Sequence, residues 1–162
     1  MTATPLRTGQ AAPKFCLSNE DGNEVCLKDF QGGWVVLYFY PKDKSKACTL
    51  EALDFTALKP QFERHNAEIL GVSKDSVKSH QSFTTGKELD IALLSDPDVE
   101  VQKKYGVWRL KKFMGREYIG TIRSTFLIDP EGKIARIWDD VRVKGHAEEV
   151  LSEVRKLSSG KE

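Results

Sequence analysis

Cysteine is scarce in this chain of 162 residues: there are three, at positions 16, 26 and 48, and no Cys-x-x-Cys pair among them. That scarcity argues against a disulfide-stapled scaffold and leaves a reactive thiol as the live alternative. Long hydrophobic runs are missing too. The longest, Trp34 to Tyr40, is too short to cross a bilayer. The N-terminus Met1-Thr2-Ala3-Thr4-Pro5 lacks the basic-then-apolar order of a signal peptide, so the cytoplasm is the expected compartment. Neither sign of charge dominates. The 25 basic and 24 acidic side chains are scattered and nearly cancel, which removes nucleic acid and an anionic membrane as default partners. No histidine or cysteine spacing suggests a metal site, and there is no repeat, low-complexity tract or interdomain linker. With 40% hydrophobic and 30% charged residues, the chain is of a size to bury one core, a single soluble domain over 1–162.

What is present is an ordered series of elements. Pro13 to Lys28 alternates around Glu20-Asp21-Gly22, which reads as a β-hairpin with Gly22 at a left-handed position. In that register Cys16 faces Cys26 across the strands, and a one-residue shift would separate them. Val35 to Tyr40 reads as a strand covered on both faces, followed by helix from about Thr49, kinked or restarted at Pro60. Ile69 to Ser73 completes a right-handed βαβ unit. A helix over Ser76 to Thr85 ending near Gly86, a strand over Ile91 to Leu94, and a short helix capped by Asp96-Pro97 and stopped at Gly106 come next. Lys111, Lys112 and Arg116 then read as a solvated basic loop rather than a phosphate site. Ser124 to Ile128 and Ile134 to Trp138 flank the turn Asp129-Pro130-Glu131-Gly132, and a terminal helix runs from Gly145 with a tail, Ser158 to Glu162, expected to fray. This order is that of an α/β, thioredoxin-like fold with an N-terminal β-hairpin extension.

Cys48 stands where a polar loop hands over to a helix. Unpaired amides and the positive end of the helix dipole favour a thiolate there, and Lys44 and Lys46 push the same way. The plainer reading is a buried small hydrophobe, the commonest fate of a free cysteine. Ser45 is placed to offer a hydroxyl to a substrate oxygen, with backbone amides near Ala47 and Cys48 as further donors. Pro41 has no amide hydrogen and can pack over the loop. Glu51, about one helical turn beyond Cys48, is placed to hold an arginine, and Arg123, at the mouth of a strand expected to be central, is the candidate. A structural ion pair would explain Arg123 as well. His65, His80 and His146 lie in polar surroundings and are expected at the surface; Trp108, Phe113 and Trp138 are expected in the core or a pocket wall.

These residues resemble a known family. Phe39-Tyr40-Pro41-Lys42-Asp43, Cys48-Thr49, Glu51-Ala52 and Asp54-Phe55 are similar to the peroxiredoxins, and within them to the bacterioferritin comigratory protein or peroxiredoxin Q group. The likeness continues in order through Gly71-Val72-Ser73, Asp75 to His80, Leu94 to Pro97, Tyr105 to Trp108, Arg123 to Asp129 and Val143 to Ala147. The resemblance implies a thiol peroxidase that reduces hydrogen peroxide and organic hydroperoxides. Cys48 would be the peroxidatic cysteine, oxidised to a sulfenic acid, and Pro41, Ser45, Cys48 and Arg123 would form the active-site quartet. No metal or organic cofactor is implied; the partners would be a peroxide and thioredoxin, glutaredoxin or a small thiol, acting on a monomer or weak dimer.

The chain departs from the group at three points. Ser45 stands for the usual threonine, and Lys46-Ala47 for proline-glycine, which alters how easily the loop unfolds. The second cysteine often found in this group is absent: Leu53 and Thr84 occupy its two usual places. A one-cysteine route with an external thiol is therefore expected. Cys16 and Cys26 remain candidates for a resolving role but lie on a peripheral hairpin. The rival readings are a thioredoxin-like disulfide oxidoreductase, which would need a second thiol beside Cys48, and a non-catalytic thioredoxin-fold binding module, which would not need the quartet.

Overall fold

Trp34 to Phe39 can be apolar throughout because both of its faces are covered. In the computed structural model, which describes residues 5–159, Trp34, Val36, Tyr38 and Tyr40 join one buried cluster, and Val35, Leu37 and Phe39 join another. Alternate residues of a strand point to opposite faces, so each cluster takes every second side chain. This strand, β3 (Trp34–Phe39), is central in a seven-stranded sheet of order β2-β1-β5-β4-β3-β8-β9. The others are β1 (Cys16–Ser18), β2 (Glu24–Cys26), β4 (Ala67–Ser73), β5 (Ala92–Ser95), β8 (Ser124–Ile128) and β9 (Ile134–Trp138). A separate hairpin pairs β6 (Trp108–Phe113) with β7 (Arg116–Thr121).

Strands β3, β4 and β5 run parallel, joined by the helices α1 (Lys46–Glu63) and α2 (Val77–Lys87). Phe55 and Phe62 of α1, Phe83 of α2, and Val150 and Val154 of α4 (His146–Ser159) fill the first cluster. Val101 of the short α3 (Glu100–Lys104), with Tyr105 and the N-terminal Ala12 and Phe15, fills the second. Three helices on one face and a short helix with the N-terminal segment on the other make the α/β, thioredoxin-like arrangement expected from the element order. Tyr38 lies across its parallel neighbour Gly71, where a Cβ would come within 2.8 Å of the phenol ring, so this strand position admits glycine alone.

The N-terminal hairpin has the expected register, Cys16 opposite Cys26, with Gly22 left-handed at φ +81°. Several expectations need correction. Helix α1 begins at Lys46 rather than Thr49, and Pro60 lies inside it without breaking it. Pro60 is exposed, so the carbonyl it deprives of a partner, that of Thr56, stands on the watered side of the helix. Helix α2 does end near Gly86, its last residue being Lys87, and Glu88 caps it in the left-handed conformation at φ 52°. Asp96 accepts the Gln102 amide at 3.0 Å, but the residue at the N-cap of α3 is Val99. The basic loop is no loop. Lys111, Lys112 and Arg116 sit on β6 and β7, joined by a two-residue turn with Met114 at φ 51° and Gly115 at φ 78°. At the C-terminus Ser158 and Ser159 are helical, with Ser158 Oγ 3.1 Å from His65 Nδ1. Residues 160–162 of the tail expected to fray, and Met1 to Thr4 of the N-terminal reading, lie outside the described residues.

Candidate active site

Ser45 is the N-cap of α1, with extended backbone at φ −67° and ψ 155°. Cys48 therefore falls in the first helical turn. The first bond of the helix runs from the Thr49 amide to the Ser45 carbonyl at 2.9 Å, so the amides of Lys46, Ala47 and Cys48 have no intrahelical acceptor. The thiol is 1% exposed. It faces the cluster built from Tyr38, Tyr40, Ala52 and Phe55, which shields it from bulk water.

Arg123, in the residue just before β8, reaches the sulfur across the sheet end. Its Nη2 donates to Cys48 Sγ at 3.4 Å and its Nη1 donates to Glu51 Oε1 at 2.7 Å. One planar guanidinium thus bridges the thiol and a carboxylate a turn further along α1, a use of the fork that lysine cannot copy. Burial lowers the proton affinity of Arg123, but Glu51 and Cys48 more than offset it, and its pKa stands above the ordinary value. Glu51 is pushed up to about 7, because burial outweighs the attraction of Arg123. Its second oxygen, Oε2, finds no hydrogen-bond partner among the described residues. Tyr38 is raised too, first by burial and then by Glu51 and Cys48.

The loop between β3 and α1 is tied down by groups the sequence did not single out. Asp43 accepts from Tyr40 Oη at 2.6 Å and Ser79 Oγ at 2.8 Å, and lies 2.7 Å from His80 Nδ1. The other ring nitrogen of His80 is 3.0 Å from the Leu94 carbonyl. The imidazole is thus held between a carboxylate and a backbone carbonyl. Burial pushes the Asp43 carboxyl up, but hydrogen bonds from His80 and Tyr40 prevail and hold it below the usual range. The Asp43 amide also donates to Asp75 Oδ2 at 2.8 Å. The loop is thereby anchored to α2 and to the end of β4. His80 was discoverable: it lies four residues after the N-cap Ser76 and three before the buried Phe83, on one helix face.

The other expected groups divide. Pro41 and Ser45 lie half-buried in the same loop as Asp43, and Ser45 Oγ donates to the Lys42 carbonyl at 3.0 Å. Lys44 is turned away, its Nζ donating to Ser82 Oγ at 2.7 Å, and Lys46 is exposed. Lys111, on β6, is the cation that approaches: it donates to the Thr121 carbonyl at 2.8 Å, and burial and Arg123 lower its pKa. Trp108 lines a cleft of about 1100 Å³ with Leu110, Lys111 and Ile122, while Phe113 is 65% exposed and Trp138 is core. The surface expectation for the histidines fails twice. His80 is fully buried, and His146 is buried with Nε2 2.7 Å from Thr125 Oγ1, its pKa lowered by burial to about 4.

Cys16 and Cys26 are joined by a disulfide, and Cys48 is the free cysteine. With Glu24 they form a group whose ligand atoms lie within 4.8 Å of one another, but two sulfurs bonded to each other leave only the carboxylate to hold a metal. Leu53 and Thr84 stand on α1 and α2 with no thiol at either place. Among the described residues no helix is long and apolar enough to cross a membrane.

Comparison with known proteins agrees with this geometry. The AhpC/TSA family model matches residues 8–137. The bcp protein of Helicobacter pylori strain J99 is 47% identical over 146 residues, covering 90% of this chain and 96% of that one. Peroxiredoxin Bcp of Escherichia coli K12 is 40% identical over 148 residues, covering 91% and 95%. Among solved structures, peroxiredoxin Q of Xanthomonas campestris superposes with a TM-score of 0.85 at 42% identity over 89% of this chain and 91% of that one. The bacterioferritin comigratory protein of the same organism gives 0.87 at 38% identity over 94% and 99%. The thiol at a helix start, the arginine that bridges it to a carboxylate, and these likenesses together make the chain a member of the AhpC/TSA family, a peroxiredoxin of the Bcp or peroxiredoxin Q group.

Proposed function

We propose that this thiol peroxidase reduces hydrogen peroxide and organic hydroperoxides at Cys48. Alkyl peroxide reduction activity is attributed to the bacterioferritin comigratory protein of Xanthomonas campestris. The observation that carries the reading for this chain is the contact of Arg123 Nη2 with Cys48 Sγ while the same guanidinium is held by Glu51.

In this reading the Cys48 thiolate attacks one peroxide oxygen. An S–O bond forms, the O–O bond breaks, and the leaving oxygen departs as water or an alcohol after taking a proton. Arg123 faces the negative charge that moves from sulfur to the leaving oxygen, and the first-turn amides of α1 offer donors aimed at the same place. The Ser45 hydroxyl exchanges the Lys42 carbonyl for a peroxide oxygen, and Pro41 packs over the loop. The resulting sulfenic acid has no resolving thiol at Leu53 or Thr84, so a thiol from outside the chain reduces it, whether thioredoxin, glutaredoxin or a small thiol. The working form is a monomer or weak dimer in the cytoplasm, where such thiols are kept reduced.

Purified protein should consume hydrogen peroxide or an alkyl hydroperoxide in the presence of a small dithiol, and Cys48→Ser should abolish this. Unchanged turnover in that variant would refute the reading.

A further inference from the structure

Two of the three cysteines have no place in the chemistry described so far, and their position gives them one. Cys16 and Cys26 face each other on β1 and β2. The Leu27 amide bonds the Phe15 carbonyl at 3.1 Å, and the Asn19 amide bonds the Asn23 carbonyl at 2.8 Å. Since bonded and unbonded pairs alternate along an antiparallel ladder, Cys16 and Cys26 form a pair of the kind without mutual backbone bonds, where side chains come closest. Their Cα atoms are 4.0 Å apart. Cys16 is exposed and Cys26 is buried, with Glu24 Oε1 3.8 Å from its sulfur.

In its own folded chain the pair lies across the sheet from the strand whose following loop leads to Cys48. Strands β5 and β4 lie between β1 and β3, which at the usual strand spacing puts β1 and β3 about 14 Å apart. A disulfide requires Cα atoms within roughly 7 Å. Both groups nevertheless stand at the same end of the sheet. Ser18 of β1 pairs antiparallel with Ser95, the last residue of β5, so Cys16 projects past the C-terminal end of the parallel strands, where the Cys48 loop leaves β3. Two copies meeting through this end would each bring a Cys16 to the other's Cys48, a self-complementary contact.

We infer that the Cys16–Cys26 pair is a redox centre that resolves Cys48 of a second copy of this chain. The inference rests on Cys48 being the peroxidatic thiol, and it moves the external thiol of that reading from the sulfenic acid to the hairpin disulfide. When the first turn of α1 opens, the exposed Cys16 thiol of one copy gives up its proton and attacks the Cys48 sulfenic acid of the other; an intermolecular S–S bond forms, the S–O bond breaks, and the leaving hydroxide takes up that proton and departs as water. Cys26 then loses its proton to Glu24 and attacks the Cys16 sulfur. The Cys16–Cys26 bond forms, the intermolecular bond breaks, and Cys48 leaves as thiolate. The sum is peroxide plus two thiols giving alcohol, water and one disulfide, which an external dithiol reduces. The exposed member attacks and the buried member completes the exchange.

The test uses fully reduced, full-length protein given one equivalent of hydrogen peroxide, then quenched, alkylated and mapped by mass spectrometry. Wild type should show Cys16 and Cys26 disulfide-bonded and Cys48 returned to thiol, and Cys26→Ser should accumulate a covalent dimer linked Cys48 to Cys16. A mixture of Cys48→Ser chains with Cys16→Ser/Cys26→Ser chains should form the Cys16–Cys26 bond in the former, although Cys48→Ser alone keeps both thiols. Wild type in which Cys48 stays a sulfenic acid beside two reduced hairpin thiols would overturn the inference and leave the peroxidase reading standing. Equal disulfide formation in Cys48→Ser alone would reduce the pair to a staple. If Cys48 is not oxidised and the peroxide survives, both readings fall.

Discussion

Arg123 does two jobs with one planar group. Its two Nη atoms are divided between Glu51 and Cys48, so Arg123→Lys keeps the charge but cannot satisfy both. The rate of Cys48 oxidation in that variant should fall about 100-fold, the order found on removing one donor from a developing anion. Stopped-flow peroxide consumption checks it. Ser45→Ala should cost about tenfold, the worth of one hydrogen bond to a charged group, while Ser45→Thr should be near neutral because the hydroxyl survives. At this scale the sequence was most informative about Cys48, Glu51 and Arg123, since helix starts and lone charges at strand mouths have few chemical uses. It was least informative about Asp43 and His80. A buried histidine is invisible in a polar stretch unless its spacing from Phe83 is read as a helix face, and the carboxylate that satisfies it lies in a different segment of the chain.

At the scale of elements, the first turn of α1 is where peroxide chemistry and thiol access compete. Cys48 is sealed in the folded turn, so a bulky thiol reaches it only when the turn opens. Ala47 sits in that turn, and Ala47→Gly should cost roughly 0.5–1 kcal/mol of helix stability. The expected result is faster reaction of the Cys48 sulfenic acid with a protein thiol and an unchanged rate with peroxide, read by separate single-turnover measurements. The βαβ core was legible because continuous apolar runs and helix periodicity are long-range signals. The β6–β7 hairpin was not. Its strands are largely exposed, carrying Leu110, Phe113, Tyr118 and Ile119 among lysines and arginines, and its turn is Met114-Gly115 rather than the asparagine-glycine or aspartate-glycine that marks most such turns. The early start of α1 was missed for a similar reason. Lys46 and Ala47 carry no start signal of their own, and the N-cap Ser45 makes no side-chain capping bond.

For the whole molecule, two buried groups set opposing pH dependences. Glu51 holds its proton up to about 7 in the fold against 4.5 when exposed, so the folded state binds the extra proton between those values. Its contribution to stability falls as pH rises through that window, by about 3 kcal/mol. His146 behaves in reverse. Its pKa is lowered from 6.5 to about 4, so the unfolded chain binds the extra proton, and stability is lost as pH falls through that window, again by about 3 kcal/mol. Over the overlap the two oppose each other. Urea midpoints should therefore show the stability of Glu51→Gln, relative to wild type, rising with pH between 4.5 and 7, and that of His146→Gln falling with pH between 4 and 6.5. Parallel curves would show that these groups titrate alike in both states. Neither effect was readable beforehand, because burial of a titratable group is a property of the assembled core. The near balance of charge in the composition conceals it.

Formation of a sulfenic acid on Cys48 is measured most directly in the Cys16→Ser/Cys26→Ser variant, where no second thiol can consume it. One equivalent of peroxide followed by a sulfenic-acid trap should place the adduct on the Cys48 peptide with loss of an equal amount of peroxide. Peroxide left intact, with Cys48 recovered as free thiol, would contradict the assignment of this site as a peroxidase.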